Sequence, residues 1–342
     1  MPDVFLTEIL GQPDAIQRAA TALAGQQDRL ERLRGLAPGR LVLTGMGASH
    51  DACLAAASVL GSAAAAVTAV NTAELVHFRL PSLTADTVVV AVSQSGRSAE
   101  LVRLAEAGTP ATLVSVTNGL DNPLAAAADL ALDTAAGVEL GPSTMTFAAT
   151  FPTLAAVVTA LTGTAGMDVP AAAAAAADSA RRLLADPVPL ADQLVDWVGR
   201  RRHAVLVGRG PAVAAAELGA LVLKEAAGFA AECLDAAEFR HGPLELAGPD
   251  LAVAVVATEE STYRYDRTLA AEVAAAGGAV LFISHRPDPL PGALTVAVDP
   301  VDRLLAPAVA AIPFQLAAWG LAQASGRDPS RFTVGSKVTT RE

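Results

Sequence analysis

Leu41-Val-Leu-Thr-Gly-Met-Gly47 is a short apolar run that breaks into a Gly-x-Gly turn, and Ala204-Val-Leu-Val-Gly-Arg-Gly210 repeats it 163 residues later. Each turn is followed by an Ala-rich stretch of helical character, one to about Leu60 and the other to about Gly228. A second apolar run follows in each half, Thr87-Val-Val-Val-Ala-Val92 and Leu251-Ala-Val-Ala-Val-Val256. A third pair completes the series, Ala111-Thr-Leu-Val-Ser-Val116 and Ala279-Val-Leu-Phe-Ile-Ser284. Continuous apolar runs of this length, alternating with helical segments, are the pattern of parallel strands buried on both faces. The expected fold is therefore α/β, with two tandem doubly wound, flavodoxin-like parallel-sheet domains.

The repeat sets the expected boundaries. Residues 1–35 form an N-terminal helical segment, with Ile9, Leu23, Leu30 and Leu33 at helical spacing in what reads as one added helix. The first domain is expected over 36–165, the second over 190–330, and a C-terminal tail over 331–342. Gly163, Gly166, Pro170 and Pro187 bracket the junction, and the alanine run 171–177 within it has the propensity of an ordinary helix.

Composition narrows the function classes. Apolar residues make up 52 % of the 342, aromatics only 4 %, which suits close helix-on-sheet packing. A net charge of −11 argues against a nucleic-acid partner, which requires a basic face. No apolar segment of about 20 residues runs uninterrupted, so no membrane span is expected. No signal peptide is read at the N-terminus. Cys53 and Cys233 lack metal-ligand spacing and read as buried free thiols of a cytoplasmic protein. No metal or cofactor site is expected. The 24 basic residues divide into 22 Arg and two Lys, Lys224 and Lys337. Lysine alone of the two types can form a Schiff base, so one of these positions is a candidate for amine chemistry.

Two loops carry the chemistry of an anion site. Gly45-Met-Gly-Ala-Ser-His50 follows the first strand and opens a helix, and Ser93-Gln-Ser-Gly-Arg-Ser98 follows the next strand and does the same. Hydroxyls, an amide and glycine-permitted backbone approach at a helix start together make a phosphate cradle. Neither loop has the Gly-x-Gly-x-x-Gly of a dinucleotide site or the Gly-Lys-Ser/Thr of a P-loop. In the second half Thr258-Glu-Glu-Ser-Thr262 replaces the serine loop, and two acids there oppose phosphate.

Ser93-Gln-Ser-Gly96, Gly208-Arg-Gly210 and Glu238-Phe-Arg-His-Gly-Pro243, in this order and spacing, resemble the sugar isomerase (SIS) domain family. More narrowly they resemble the double-SIS isomerase half of glucosamine-6-phosphate synthase and its stand-alone deaminase relatives. The likeness extends from Glu8-Ile-Leu-Gly-Gln-Pro13 to Lys337-Val-Thr-Thr-Arg-Glu342. It implies a sugar-phosphate ligand whose phosphate is held by Ser49, Ser93, Gln94, Ser95 and Ser98. It implies that Lys337 forms an imine with the open-chain sugar, that Glu225 moves a proton between C1 and C2, and that His241 opens the ring. Further substrate contacts are implied at Gly47, Ala48, Glu139, Ser143 and Ser336. The loop Glu139-Leu-Gly-Pro-Ser-Thr144 is one residue shorter than the family pattern. Because the family's histidine loop comes from a neighbouring subunit, a homodimer with its site at the interface is implied.

Elementary chemistry agrees with those roles: a carboxylate for proton transfer between adjacent carbons, an imidazole for ring opening, an amine for the imine. Competing readings stand beside them. Lys224 and Glu225 suit a solvated helix pair, His241 suits a turn before Gly-Pro, and Lys337 sits where tails are often mobile. His50, His77, His203 and His285 read as structural or surface residues, and for His50, beside the first loop, a substrate contact is the alternative. The chain opens Met1-Pro-Asp-Val without the cysteine nucleophile of a glutamine-hydrolysing domain, so it is not expected to draw ammonia from glutamine. The expected reaction is deamination of glucosamine 6-phosphate to fructose 6-phosphate. The alternatives are a deglycase or isomerase on another phosphosugar, such as fructosamine or galactosamine 6-phosphate, and a non-catalytic sugar-phosphate sensor.

Overall fold

A computed structural model of the protein describes residues 3–61, 66–163 and 167–342; the expected junction residue Gly166 and the expected domain end at 165 lie outside them. The chain divides into two compact units. One comprises 14–138, 145–175 and 333–342, and the other 1–13, 139–144 and 176–332. Among the described residues each holds one five-stranded sheet.

The first sheet contains β1 (Arg40–Gly45), β2 (Ala66–Asn71), β3 (Thr87–Ser93), β4 (Thr112–Thr117) and β5 (Leu130–Asp133), ordered β2-β1-β3-β4-β5. The second contains β6 (His203–Gly208), β7 (Ala230–Asp235), β8 (Ala252–Ala257), β9 (Ala279–Ser284) and β10 (Ala293–Ala297), ordered β10-β9-β8-β6-β7. Every pairing is parallel. Read from β6 onward, the second order is the first repeated, so the two halves share one doubly wound topology.

Six of these strands coincide with the apolar runs. The other four, β2, β5, β7 and β10, are the outer strands of the two sheets. Their residues are largely half-exposed, as at Ala293, Leu294 and Thr295 of β10, whereas every residue of β3 and β8 is buried. A strand covered on both faces is built of apolar residues with a few small hydroxyl side chains, such as Thr87 and Ser93 of β3, and an outer one is under no such constraint.

The N-terminal segment is three α-helices, Val4–Leu10, Gln12–Ala22 and Gln27–Arg34, with a 3₁₀ turn Leu23–Gln26, rather than one added helix. Gly11 closes the first helix, and Pro13 cannot donate into an uninterrupted ladder. Ile9, Leu23, Leu30 and Leu33 are all buried, as their spacing predicts.

Helix Met145–Thr162 is long and apolar enough to cross a bilayer by length and composition, and 83 % of its 18-residue window is buried inside the protein. That burial accounts for its composition as a core helix. Cys53 is buried, donating to Thr44 O, and burial pushes its thiol pKa up. Cys233 is only half-buried, because it lies on the outer strand β7.

Candidate active site

In a doubly wound sheet, ligands collect at the carboxyl ends of the strands where the winding direction reverses. In the first sheet that point is between β1 and β3, which pair in register from Arg40–Thr87 to Thr44–Ala91. Both serine-bearing loops begin there.

After β1 the chain turns so tightly that a Cβ on Gly45 would lie 2.9 Å from His50 N and 3.0 Å from Val92 O. This close approach seats the start of helix Ala48–Leu60, with Ser49 in its first turn, against the end of β3. After β3, Gly96 adopts φ +61°, and a Cβ there would overlap Asn122 Oδ1. Asn122 cannot yield easily, because that oxygen accepts from Ala125 N–H at 2.9 Å and its amide donates to Gly119 O at 2.9 Å.

Within the second loop, Ser93 Oγ accepts from Gly96 N–H at 3.0 Å and Ser95 Oγ from Arg97 N–H at 3.2 Å. A hydroxyl that accepts from the backbone keeps its own hydrogen for another acceptor. Ser98 occupies the N-cap of helix Ala99–Glu106, yet its side chain makes no capping bond. Gln94 and Ser95 are half-buried, and Arg97 turns aside to donate to Asp121 O at 2.6 Å. The arrangement presents neutral donors and two helix N-termini, the requirements for binding an anion without a net positive site. Two buried acids, Asp51 and Glu100, occupy the first turns of the same helices. His50 is half-buried, and its burial lowers the imidazole pKa below the usual value, favouring the neutral ring.

The tail that carries Lys337 belongs to this same unit. Ala99 N–H, at the first helical position after Ser98, donates to Thr339 O at 3.0 Å. Glu342 meets His77 Nε2 at 2.7 Å and Arg103 Nη1 at 3.3 Å. The His77 hydrogen bond, with Arg103 beside it, holds the Glu342 carboxyl below its ordinary pKa. Lys337 is half-buried between these anchors and Ser336, whose hydroxyl donates to Val338 O. Nothing local in the sequence marks His77 and Arg103 as partners of a residue more than 200 positions away.

The other unit holds the remaining candidates. Glu225 is half-buried in the last turn of helix Val213–Ala227, beside exposed Lys224. His241 is exposed, closing helix Ala236–Arg240 with its N–H donating to Glu238 O at 2.9 Å. The loop 139–144 is held from within: Glu139 accepts Thr144 N–H at 2.9 Å, and Glu8 accepts Leu140 N–H and, at 3.1 Å, Gly141 N–H. Buried Gln12 donates to Gln315 Oε1 at 2.7 Å, and Gln315 donates to Ser143 O at 3.4 Å. The opening motif Glu8–Pro13 thus holds the backbone of a loop some 130 residues away.

The second half lacks the cradle. Arg209, in the Gly-Arg-Gly turn, is locked to Asp266 at 2.7 Å, where Asp266 is 1 % exposed and also accepts from Thr262 Oγ1 at 2.8 Å. Burial raises the Asp266 pKa, while Thr262 and Arg209 act in the opposite direction. Among the described residues no cluster of His, Cys, Asp or Glu is placed to hold a metal ion.

A family model for the SIS domain matches residues 37–161 and 199–322. The chain is 29 % identical over 349 residues to a glutamine–fructose-6-phosphate aminotransferase (isomerizing) of Pyrobaculum aerophilum, covering 100 % of this chain and 58 % of that protein. It therefore spans little more than half the length of that relative. Its fold superposes on the C-terminal domain of glucosamine-fructose-6-phosphate aminotransferase from Francisella tularensis with a TM-score of 0.82 at 22 % identity, covering 96 % and 98 % of the two chains. Against a glucosamine-6-phosphate deaminase from Thermotoga maritima the TM-score is 0.78 at 15 % identity, with 98 % of each chain covered.

Proposed function

The chain belongs to the SIS-domain family, with two copies of the domain, and on that premise we propose that it is a phosphosugar enzyme of the aldose–ketose isomerase kind, deaminating glucosamine 6-phosphate. One observation carries the reading: a hydroxyl-rich cradle at the β1/β3 switch point, with the lysine-bearing tail hydrogen-bonded to the helix that the cradle opens.

In this reading the phosphate is held by Ser49, Ser93, Gln94, Ser95 and Ser98, which fixes the sugar end opposite C1. His241 assists ring opening, giving a C1 aldehyde beside the C2 amine. Glu225 removes the proton from C2 and returns it to C1, so that the aldehyde becomes a CH₂OH group and C2 becomes a ketimine. Lys337 Nζ adds to C2, ammonia leaves, and water hydrolyses the lysyl imine to fructose 6-phosphate and free lysine. Sugar and water enter, ketose and ammonia leave. Gly47, Ala48, Glu139, Ser143 and Ser336 are proposed as further substrate contacts. The family pattern further supports a homodimer in which the His241 loop is supplied by a second copy.

A panel of hexosamine and fructosamine 6-phosphates, assayed for ammonia and for ketose, tests this. Equal yields of ammonia and fructose 6-phosphate are expected from glucosamine 6-phosphate. Turnover confined to fructosamine 6-phosphate would replace the reading with a deglycase. Thermal stabilisation by phosphosugars without turnover of any would replace it with a sensor.

A further inference from the structure

A cavity of about 470 Å³ lies at the carboxyl edge of the second sheet. The loop 258–261 after β8, His285 after β9, residues 298–301 and Arg303 after β10, and helix Ala306–Ala310 line it. The volume lies in the range that small ligands use. All of its lining falls within one compact unit, and none of it belongs to the proposed catalytic set.

Its chemistry differs from that of the first-half cradle. Glu259 and Glu260 stand where the first half has serine and glycine, and they oppose an anion. Each acid already has a basic partner: Glu259 Oε2 accepts from Arg303 Nη2 at 2.7 Å, Glu260 is held by His285 at 3.0 Å and by Arg286, and Asp299 meets Arg182 at 2.6 Å. Local charge is thereby balanced, so a strongly cationic ligand gains little. What is left over is hydrogen-bond acceptance. Glu259 is only 7 % exposed, yet its Oε1 has no hydrogen-bond partner, and neither does the buried Oγ1 of Thr258 on the same wall. Buried polar atoms are nearly always satisfied, and two such atoms beside one cavity, unpaired within the protein, are open to a donor from a ligand or from water. Val298, Val301 and Val309 supply an apolar face.

From this wall we infer that the cavity is a second ligand site, for a small phosphate-free molecule with several O–H or N–H donors and an apolar face. An unphosphorylated sugar or amino sugar has that chemistry: C–H groups on the ring face, donors along its edge. The inference is independent of the reaction proposed for the first half.

The test uses the full chain with D-glucosamine and D-glucose as probes, read by saturation-transfer NMR and calorimetry, with inorganic phosphate as competitor. Millimolar binding of at least one probe is expected, undiminished by phosphate. Val301→Trp fills the cavity and should abolish it, while stabilisation by glucosamine 6-phosphate through the first-half cradle persists. Thr258→Val, which removes one orphan hydroxyl at constant shape, should weaken binding at least threefold and decides the matter if the tryptophan variant does not fold. No binding by either probe, binding unchanged in Val301→Trp or Thr258→Val, or displacement by phosphate would each overturn the assignment.

Discussion

Glu342 places its Oε2 2.7 Å from Nε2 of His77, fastening the tail to the unit that carries the serine loops. Arg103 supports the same carboxylate, and the Ala99–Thr339 hydrogen bond adds a backbone anchor three residues earlier. The tail is thus tied down at Thr339 and at Glu342, both C-terminal to Lys337.

Acidification should release the tail. The docked Glu342 carboxyl has a lowered pKa, so its contribution to docking is complete above the free carboxylate value of about 4.3 and is lost as pH falls through the lower docked value. Hydrogen exchange over residues 333–342 should therefore accelerate in acid. Glu342→Gln should flatten that dependence and lower kcat about two- to fivefold at neutral pH, in keeping with an exposed ion pair. An unchanged exchange profile in that variant would remove the latch.

Lys337→Arg should abolish ammonia release while leaving stabilisation by glucosamine 6-phosphate nearly intact. Arginine keeps the charge but cannot form the imine. Borohydride trapping provides the direct check: a covalent sugar adduct on the parent chain, none on the variant. Undiminished turnover in the variant would exclude the lysyl imine.

Ser95→Ala should weaken phosphosugar binding by about 1.5–3 kcal/mol, the range for a hydrogen bond to a charged group, or roughly 10- to 150-fold. Calorimetry with fructose 6-phosphate and with unphosphorylated fructose separates the causes. A loss confined to the phosphosugar supports the cradle, whereas equal losses would count against it.

Gly96→Ala should destabilise the first-half unit by at least about 1–2 kcal/mol from its left-handed backbone alone. The collision with Asn122 adds to that, because Asn122 is held by its own capping bonds. Urea unfolding monitors the loss. A midpoint equal to the parent's would mean that the loop can rearrange.

Arg209→Ala should cost about 3–5 kcal/mol, because it strands Asp266 as an uncompensated buried charge. Removing both partners should cost less than removing Arg209 alone. Phosphosugar affinity is expected to stay constant in either variant, since Arg209 is committed to its ion pair; a loss of affinity would give Arg209 a binding role instead.

Particular residues show how much of the fold and the site is legible in the sequence. The runs at 41–45, 87–92, 204–208 and 251–256 reveal their strands because burial on both faces admits little besides apolar side chains and an occasional threonine, as at Thr44 and Thr87. Ser93, Ser95 and Ser98 stand out because strand, serine-rich loop and helix follow one another within about 20 residues. The outer strands Ala66–Asn71 and Ala230–Asp235 escape notice for the converse reason: half-exposed, they carry no periodic constraint. Pro13 and Gly25 mark the broken N-terminal helix, but the spacing of Ile9, Leu23, Leu30 and Leu33 disguises the breaks.

By itself the sequence determined the repeat, the parallel α/β class and the position of the serine-bearing loops at the strand ends, all of which follow from short-range patterns of burial and backbone permission. The tertiary structure alone decided that His77 and Arg103 hold Glu342, that Glu8 holds the 139–141 backbone, and that Arg209 is spent on Asp266. Those pairings join residues brought near one another only by chain folding. An ion pair or a single hydrogen bond leaves no period in the sequence, so its partner becomes known only once the strands have set their order.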